Sequence, residues 1–190
     1  MSKSLGNVVD PNDVIKEYGT DVFRYYILRH IPSYTDGEFS WDRIHTVYNT
    51  ELANELGNAV QRTAAMVQRY QDGLIGDIPE AEHDVAQYWQ ALEDCKFDRA
   101  LDEVWEQVRG LNQYIDEEKP WQIAKDNDKD HLREVLAYQA SCLIEIADLL
   151  QPFMPETALK IRHVFEDGIV RPIEGTLFPR KDVAPQSTPA

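Results

Sequence analysis

An all-α fold is what this sequence predicts, and three observations predict it. Apolar residues recur every three or four positions over long stretches, the connections between them are short and marked by Pro or Gly, and no strand-like alternation occurs.

The elements follow in order. Asp10 precedes Pro11, a residue suited to the first helical position because it lacks the N–H that would be unpaired there. Val14, Ile15 and Tyr18 give that helix its apolar contacts and Gly19 stops it. Thr20 is the expected cap of the next helix, in which Val22, Phe23, Tyr26 and Ile27 recur at helical spacing. Pro32 ends it, and residues 34–39 read as a surface loop with a turn at Asp36-Gly37. Ser40 is the expected cap of a long helix, whose stripe of Ile44, Tyr48, Leu52, Leu56, Val60, Thr63, Val67 and Tyr70 runs for about eight turns to Gly73. After a linker with Gly76 and Pro79, a helix near 84–94 leads into one over roughly 97–116, with Trp105 and Val108 inward. Pro120 interrupts that pattern. A further long helix covers about 129–150, Pro152 ends it, and Pro155 opens a last one to about Phe165. Of the tryptophans, Trp41, Trp89 and Trp105 sit on apolar stripes and are assigned to the core.

A chain of 190 residues fits one domain, or one domain plus a small appendage, and can bury a sizeable core. No apolar run approaches a membrane span or a signal peptide, and Cys95 and Cys142 lack metal-type spacing, so the expected compartment is the cytoplasm with both thiols reduced. Nineteen basic against 34 acidic residues leave a net charge of −15, the opposite of the usual nucleic-acid footprint. Any RNA contact is then a local site on an acidic body, and an acidic helical protein with a protein partner is the other reading at this point. The five histidines are scattered, and the alternating Asp126, Asp128 and Asp130 lack the Gly and terminal Glu of a calcium loop. No metal site is expected.

The opening residues Met1-Ser2-Lys3-Ser4-Leu5-Gly6-Asn7-Val8-Val9-Asp10-Pro11 resemble the KMSKS signature of class I aminoacyl-tRNA synthetases and the segment after it. Tyr18-Gly19-Thr20-Asp21-Val22-Phe23-Arg24-Tyr25-Tyr26 resembles the next block of that family. In such enzymes a mobile loop holds lysines over the ATP phosphates, where charge develops. The resemblance implies that Lys3 is the second lysine of the motif, a catalytic residue only in a full enzyme; the first would precede Met1, so the chain is expected to begin inside the motif. No HIGH-type sequence and no Gly-rich βα unit is present, and the chain alone is therefore expected to be inactive.

Three later segments resemble the methionine-type members of that class. They are Asn54-Glu55-Leu56-Gly57-Asn58-Ala59-Val60-Gln61-Arg62-Thr63, Asp116-Glu117-Glu118-Lys119-Pro120-Trp121-Gln122-Ile123-Ala124-Lys125, and Leu149-Leu150-Gln151-Pro152-Phe153-Met154-Pro155-Glu156-Thr157-Ala158 with the closing Leu177-Phe178-Pro179-Arg180. In methionyl-tRNA synthetases the residues matching Asn58, Arg62 and Trp121 recognise the CAU anticodon, chiefly its first base. The residue chemistry agrees. Asn58 and Arg62 are four apart and share a helical face, which also carries Glu51, Glu55 and Arg69 and lies away from the apolar stripe. Asn and Arg can read a base edge, and a Trp after a proline at a chain break can stack on an unpaired base.

The resemblance thus implies three parts: a KMSKS loop and stem-contact-like segment over 1–40, an anticodon-binding helical bundle over 41–178, and a tail over 179–190 expected to be disordered. The implied partners are methionine tRNA and the catalytic domain of the same polypeptide, with neither membrane nor DNA. The implied cofactor is ATP with Mg in the full enzyme and none in this chain. The same part of an isoleucine- or valine-type synthetase, or a non-catalytic helical interaction module descended from one, are the alternatives.

Overall fold

The computed structural model describes residues 9–31, 34, 39–81, 83–173 and 175–182. Within them nine α-helices pack as a bundle, with no β-structure beyond one bridge pair, Leu74 with Ile169. No helix among them is long and apolar enough to cross a membrane.

Local signals set most boundaries. Helix α1 (Pro11–Tyr18) is capped by Asp10, whose carboxylate accepts from the Asn12 N–H at 2.8 Å, and ends at Gly19 with φ +89°. Helix α2 (Thr20–His30) starts at once, its first carbonyl being that of Gly19. Thr20 is therefore inside the helix, and the cap expected of it is not made. Ser40 does cap α3 (Trp41–Val47), accepting from the Arg43 N–H at 3.2 Å.

The long stripe from Ser40 is one continuous helical run, but its middle, Tyr48–Gly57, is π-helical before α4 (Asn58–Gln71) resumes the α form. The spacing explains this. Ile44, Tyr48, Leu52, Leu56 and Val60 recur at strict four-residue intervals, a period that drifts about 40° per step on an α-helix. The wider turn keeps all five in line, and all five are buried.

Helix α5 (Ala86–Glu93) precedes α6 (Phe97–Glu118), which an αL Lys119 ends. Pro120 then opens a short helix, α7 (Pro120–Lys125), that periodicity alone did not separate. Helices α8 (Lys129–Leu150) and α9 (Pro155–Phe165) match the expected spans. Their turn is fastened from α2. Arg24 donates to the Phe153 and Pro152 carbonyls at 2.8 and 2.7 Å, and the Asp21 carboxylate accepts the Thr157 N–H at 2.7 Å, standing in for the side-chain cap that α9 lacks.

Trp105 is fully buried and Trp41 packs at the core edge, as assigned. Trp89 is not in the core: it is 55% exposed. Its neighbour Tyr88 faces inward and donates to the Leu149 carbonyl, and consecutive helical residues point about 100° apart, so Tyr88 inside turns Trp89 out. Residues 179–182, placed in the tail by the sequence, lie against the body, while 183–190 fall outside the described residues.

Candidate nucleic-acid interface

Asn58 is the first residue of α4, where the π segment gives way to the α form. Gly57 just before it fits closely: a Cβ there would stand 3.0 Å from the Leu52 carbonyl oxygen, five residues back, so the backbone would have to give by a few tenths of an ångström. The segment is tied from outside by Asn112 of α6, whose amide donates to the Glu55 and Val108 carbonyls. Asn58 is exposed, and among the described residues its amide makes no hydrogen bond. Its donors and acceptor are free for a ligand.

Arg62, one turn on, is half-buried. Its Nη2 lies 2.7 Å from Asp116 Oδ1 on the last turns of α6, and its Cζ lies 5.6 Å from the centre of the Trp121 ring. The break between α6 and α7 brings this about. Lys119 in αL conformation reverses the chain, Pro120 starts the new helix without needing an N–H partner, and Trp121 lands half-buried beside α4. The structure thus brings Arg62 and Trp121 into contact and sets Asn58 one turn away on the same helix. Lys3 lies outside the described residues.

The expected face is narrower than the spacing implied. Arg69 is exposed, but the Glu51 side chain turns toward Arg29 of α2 and that of Glu55 toward Arg109 and Trp105 of α6. Glu51 accepts from Tyr25, Arg29 and His30 in a half-buried network, and the Arg29 guanidinium sits 4.6 Å from the Trp105 ring centre. Burial pushes the Glu55 carboxyl above its ordinary value, with the Arg109 charge opposing.

Beside Asn58 runs a groove of about 390 Å³, between the helical stretch Ala53–Gln61 and an extended strap at Thr176–Arg180. It holds Asn54, Asn58, Gln61 and Arg180 and no carboxylate. On a chain of net charge −15 that is informative, because the larger groove of about 770 Å³ at Gly76–Ala81 and α8–α9 carries six carboxylates, and one of about 460 Å³ along α6 carries four. The groove beside Asn58 offers amides and a guanidinium with no like charge for an anionic chain, whereas the other carboxylate-free groove, at Val9–Val14 and Phe23–Ile31, is apolar throughout. Sequence reasoning missed Asp116 as the partner of Arg62, and it missed the strap. Asp116 stood in a motif block already singled out, but its pairing depends on a contact across 54 residues. Among the described residues no group of three His, Cys, Asp or Glu could hold a metal ion.

Residues 1–64 match a family model described as tRNA synthetases class I (M). A methionine–tRNA ligase of Bacillus subtilis is 42% identical over 174 residues, covering 85% of this chain and 26% of the ligase. That of Caldanaerobacter subterraneus subsp. tengcongensis is 40% identical, covering 96% of this chain and 33% of the ligase. Among solved structures, a Mycobacterium tuberculosis methionyl-tRNA synthetase bound by methionyl-adenylate superposes with a TM-score of 0.85 at 30% identity, over 94% of this chain and 41% of that one. The apo form of the M. tuberculosis enzyme gives 0.82 at 28% identity. The chain thus spans about a quarter to a third of the curated relatives it matches.

Proposed function

The chain belongs to the methionyl-tRNA synthetase family, and we propose that its bundle is the anticodon-binding part, reading the CAU anticodon of methionine tRNA through Asn58, Arg62 and Trp121. One observation carries the reading: Arg62 and Trp121, far apart in sequence, meet with the guanidinium 5.6 Å from the indole ring centre, and Asn58 stands one turn from Arg62 on the same helix. Such a surface offers a stacking plane and hydrogen-bonding groups for an unpaired base, the means by which single-stranded loops are read. The indole supplies stacking, Arg62 a planar cation, and Asn58 an amide with both donor and acceptor for a base edge.

The acidic surface elsewhere works toward specificity. It repels nucleic acid over most of the body and leaves the carboxylate-poor face as the place of contact. In this reading the aminoacylation chemistry, the ATP and the Lys3 loop belong to the whole cytoplasmic enzyme, and this part contributes recognition.

The test is fluorescence anisotropy of the chain with 17-nucleotide-class anticodon stem-loops, one bearing CAU and one altered at the first base, over a salt series. Preference for CAU, with affinity falling as salt rises, is the expected result. Equal binding of the two loops would sink the reading.

A further inference from the structure

The groove beside Asn58 exists only because the strap at residues 176–181 is held down, and its fastening is specific. Asn49, on the π-helical segment, grips the backbone of Lys181 on both sides. Its Oδ1 accepts the Lys181 N–H at 3.0 Å, and its Nδ2 donates to the Lys181 carbonyl at 2.9 Å. A side-chain amide thereby replaces one rung of a β-ladder. Because Oδ1 is fixed by the Lys181 N–H, the group facing His45 Nε2 at 3.1 Å is the amide NH2. His45 Nε2 must then accept, which leaves its Nδ1–H to donate to the Tyr18 hydroxyl at 3.3 Å.

Further contacts from Tyr48, Glu17 and Tyr18 secure the same strap. Tyr48 donates to the Pro179 carbonyl at 2.8 Å and meets the Phe178 ring edge-on. Lys181 Nζ lies 2.7 Å from Glu17 Oε1 and 5.2 Å from the Tyr18 ring centre. Asn49 does not line the groove; its side chain acts on it through the backbone next to Arg180.

We propose that Asn49 is a positioning residue for RNA binding: its clamp on Lys181 holds the strap over the π-helical segment and so forms, beside Asn58, a second contact surface for the anticodon loop. This rests on the anticodon reading above. The groove's amides at Asn54 and Gln61 suit base or sugar edges, and its freedom from carboxylates suits a phosphate.

The experiment compares the unmutated chain with Asn49→Ala and, independently, Tyr48→Phe, which removes the hydroxyl bond to the strap and keeps the ring. Three quantities are read: Lys181 amide exchange, affinity for the CAU stem-loop, and thermal stability. The expected result is faster Lys181 exchange and affinity lowered roughly five-fold or more in Asn49→Ala, as the loss of a pair of hydrogen bonds implies, with a smaller loss of affinity in Tyr48→Phe. The same loss from Asn49→Ala should appear in a Trp121→Ala background if the two surfaces are separate. Unchanged affinity in Asn49→Ala despite faster exchange overturns the positioning role and leaves the anticodon reading intact. Lost affinity with unchanged Lys181 exchange overturns it too, since the effect would not pass through the strap. If the unmutated chain binds both loops equally, the anticodon reading falls, and an Asn49→Ala defect on either loop still supports the clamp. If the unmutated chain binds neither loop, both fall.

Discussion

Arg62 and Asp116 stand 2.7 Å apart while the same guanidinium lies over Trp121, so the cation that would meet RNA is already engaged by a carboxylate. The Asp116 side chain is 65% exposed and that of Arg62 is 29% exposed, and pairs in such surroundings stabilise a fold by under about 1 kcal/mol. The carboxylate nevertheless sits where a phosphate or base edge would approach. Asp116→Asn should leave the unfolding midpoint nearly unchanged and raise affinity for anticodon stem-loops about two- to five-fold, with a steeper salt dependence. Anisotropy titrations over a salt series check it, and a fall in affinity would show that Asp116 orients Arg62 for binding.

Trp121→Ala removes the stacking surface. Stacking of a base on an aromatic is worth about 1–3 kcal/mol, so affinity for CAU should fall about 5- to 150-fold and the preference over a loop altered at the first base should vanish. Trp121→Phe, which keeps a smaller ring, should recover part of the affinity. The indole also packs at the core edge, and a modest fall in thermal stability is expected alongside. Affinities are therefore to be compared well below the midpoint of the weaker variant.

Which features were legible in the sequence follows from how local their causes are. The caps at Asp10 and Ser40 and the openings at Pro11 and Pro155 depend on groups within three residues, and they stand where expected. Strict four-residue spacing from Ile44 to Val60 was visible too, although its meaning, a π-helical stretch, was not drawn from it. Trp89 misled because its stripe cannot say which side a neighbour covers; only the packing of Tyr88 under α8 decides that. Glu51 and Glu55 misled for the same reason: Arg29 of α2 claims the Glu51 carboxylate, and the half-buried Glu55 carboxyl faces Arg109 and Trp105 of α6. At the candidate site, the shared face of Asn58 and Arg62 is a property of one helix. The approach of Trp121, the pairing with Asp116 and the strap clamped by Asn49 arise between distant segments, and local pattern carries no trace of them.

Glu51 predicts a pH dependence of stability. Burial pushes its carboxyl up, but hydrogen bonds from His30 and Tyr25 and the charge of Arg29 outweigh burial and hold its pKa below the ordinary value. A group depressed in the folded state contributes stability that is present in full above its unfolded pKa, about 4.3, and is lost as pH falls through the folded value. Glu51→Gln should thus cost up to about 3 kcal/mol at pH 7, because it leaves the largely buried Arg29 guanidinium short of an anion. The gap between the two proteins should narrow only below about pH 4. Urea denaturation at pH 7 and at successively lower pH checks this, and a gap that closes between pH 7 and 5 would point to another group.

Gly168 gives the largest expected stability effect of a single methyl. It sits at φ +71°, where L residues are strained, and a Cβ there would come within 2.2 Å of the Gly76 carbonyl oxygen. The clash is with backbone, so no side-chain rotation relieves it. The segment is held where it is, because the Gly168 carbonyl accepts from the Ile75 and Gly76 N–H groups and Val170 N–H donates to the Gly73 carbonyl. Moving the loop away would strip these bonds from a surface that closes α4 against α9. Gly168→Ala should therefore destabilise by about 2–4 kcal/mol, the left-handed strain adding to the overpacking. Gly175→Ala is the matched control: its φ is +79°, yet a Cβ there meets nothing within 4 Å, so it should cost only the conformational part, about 1–2 kcal/mol. Thermal or urea unfolding of the two variants separates space from strain, and equal losses would mean that the contact with Gly76 relaxes freely.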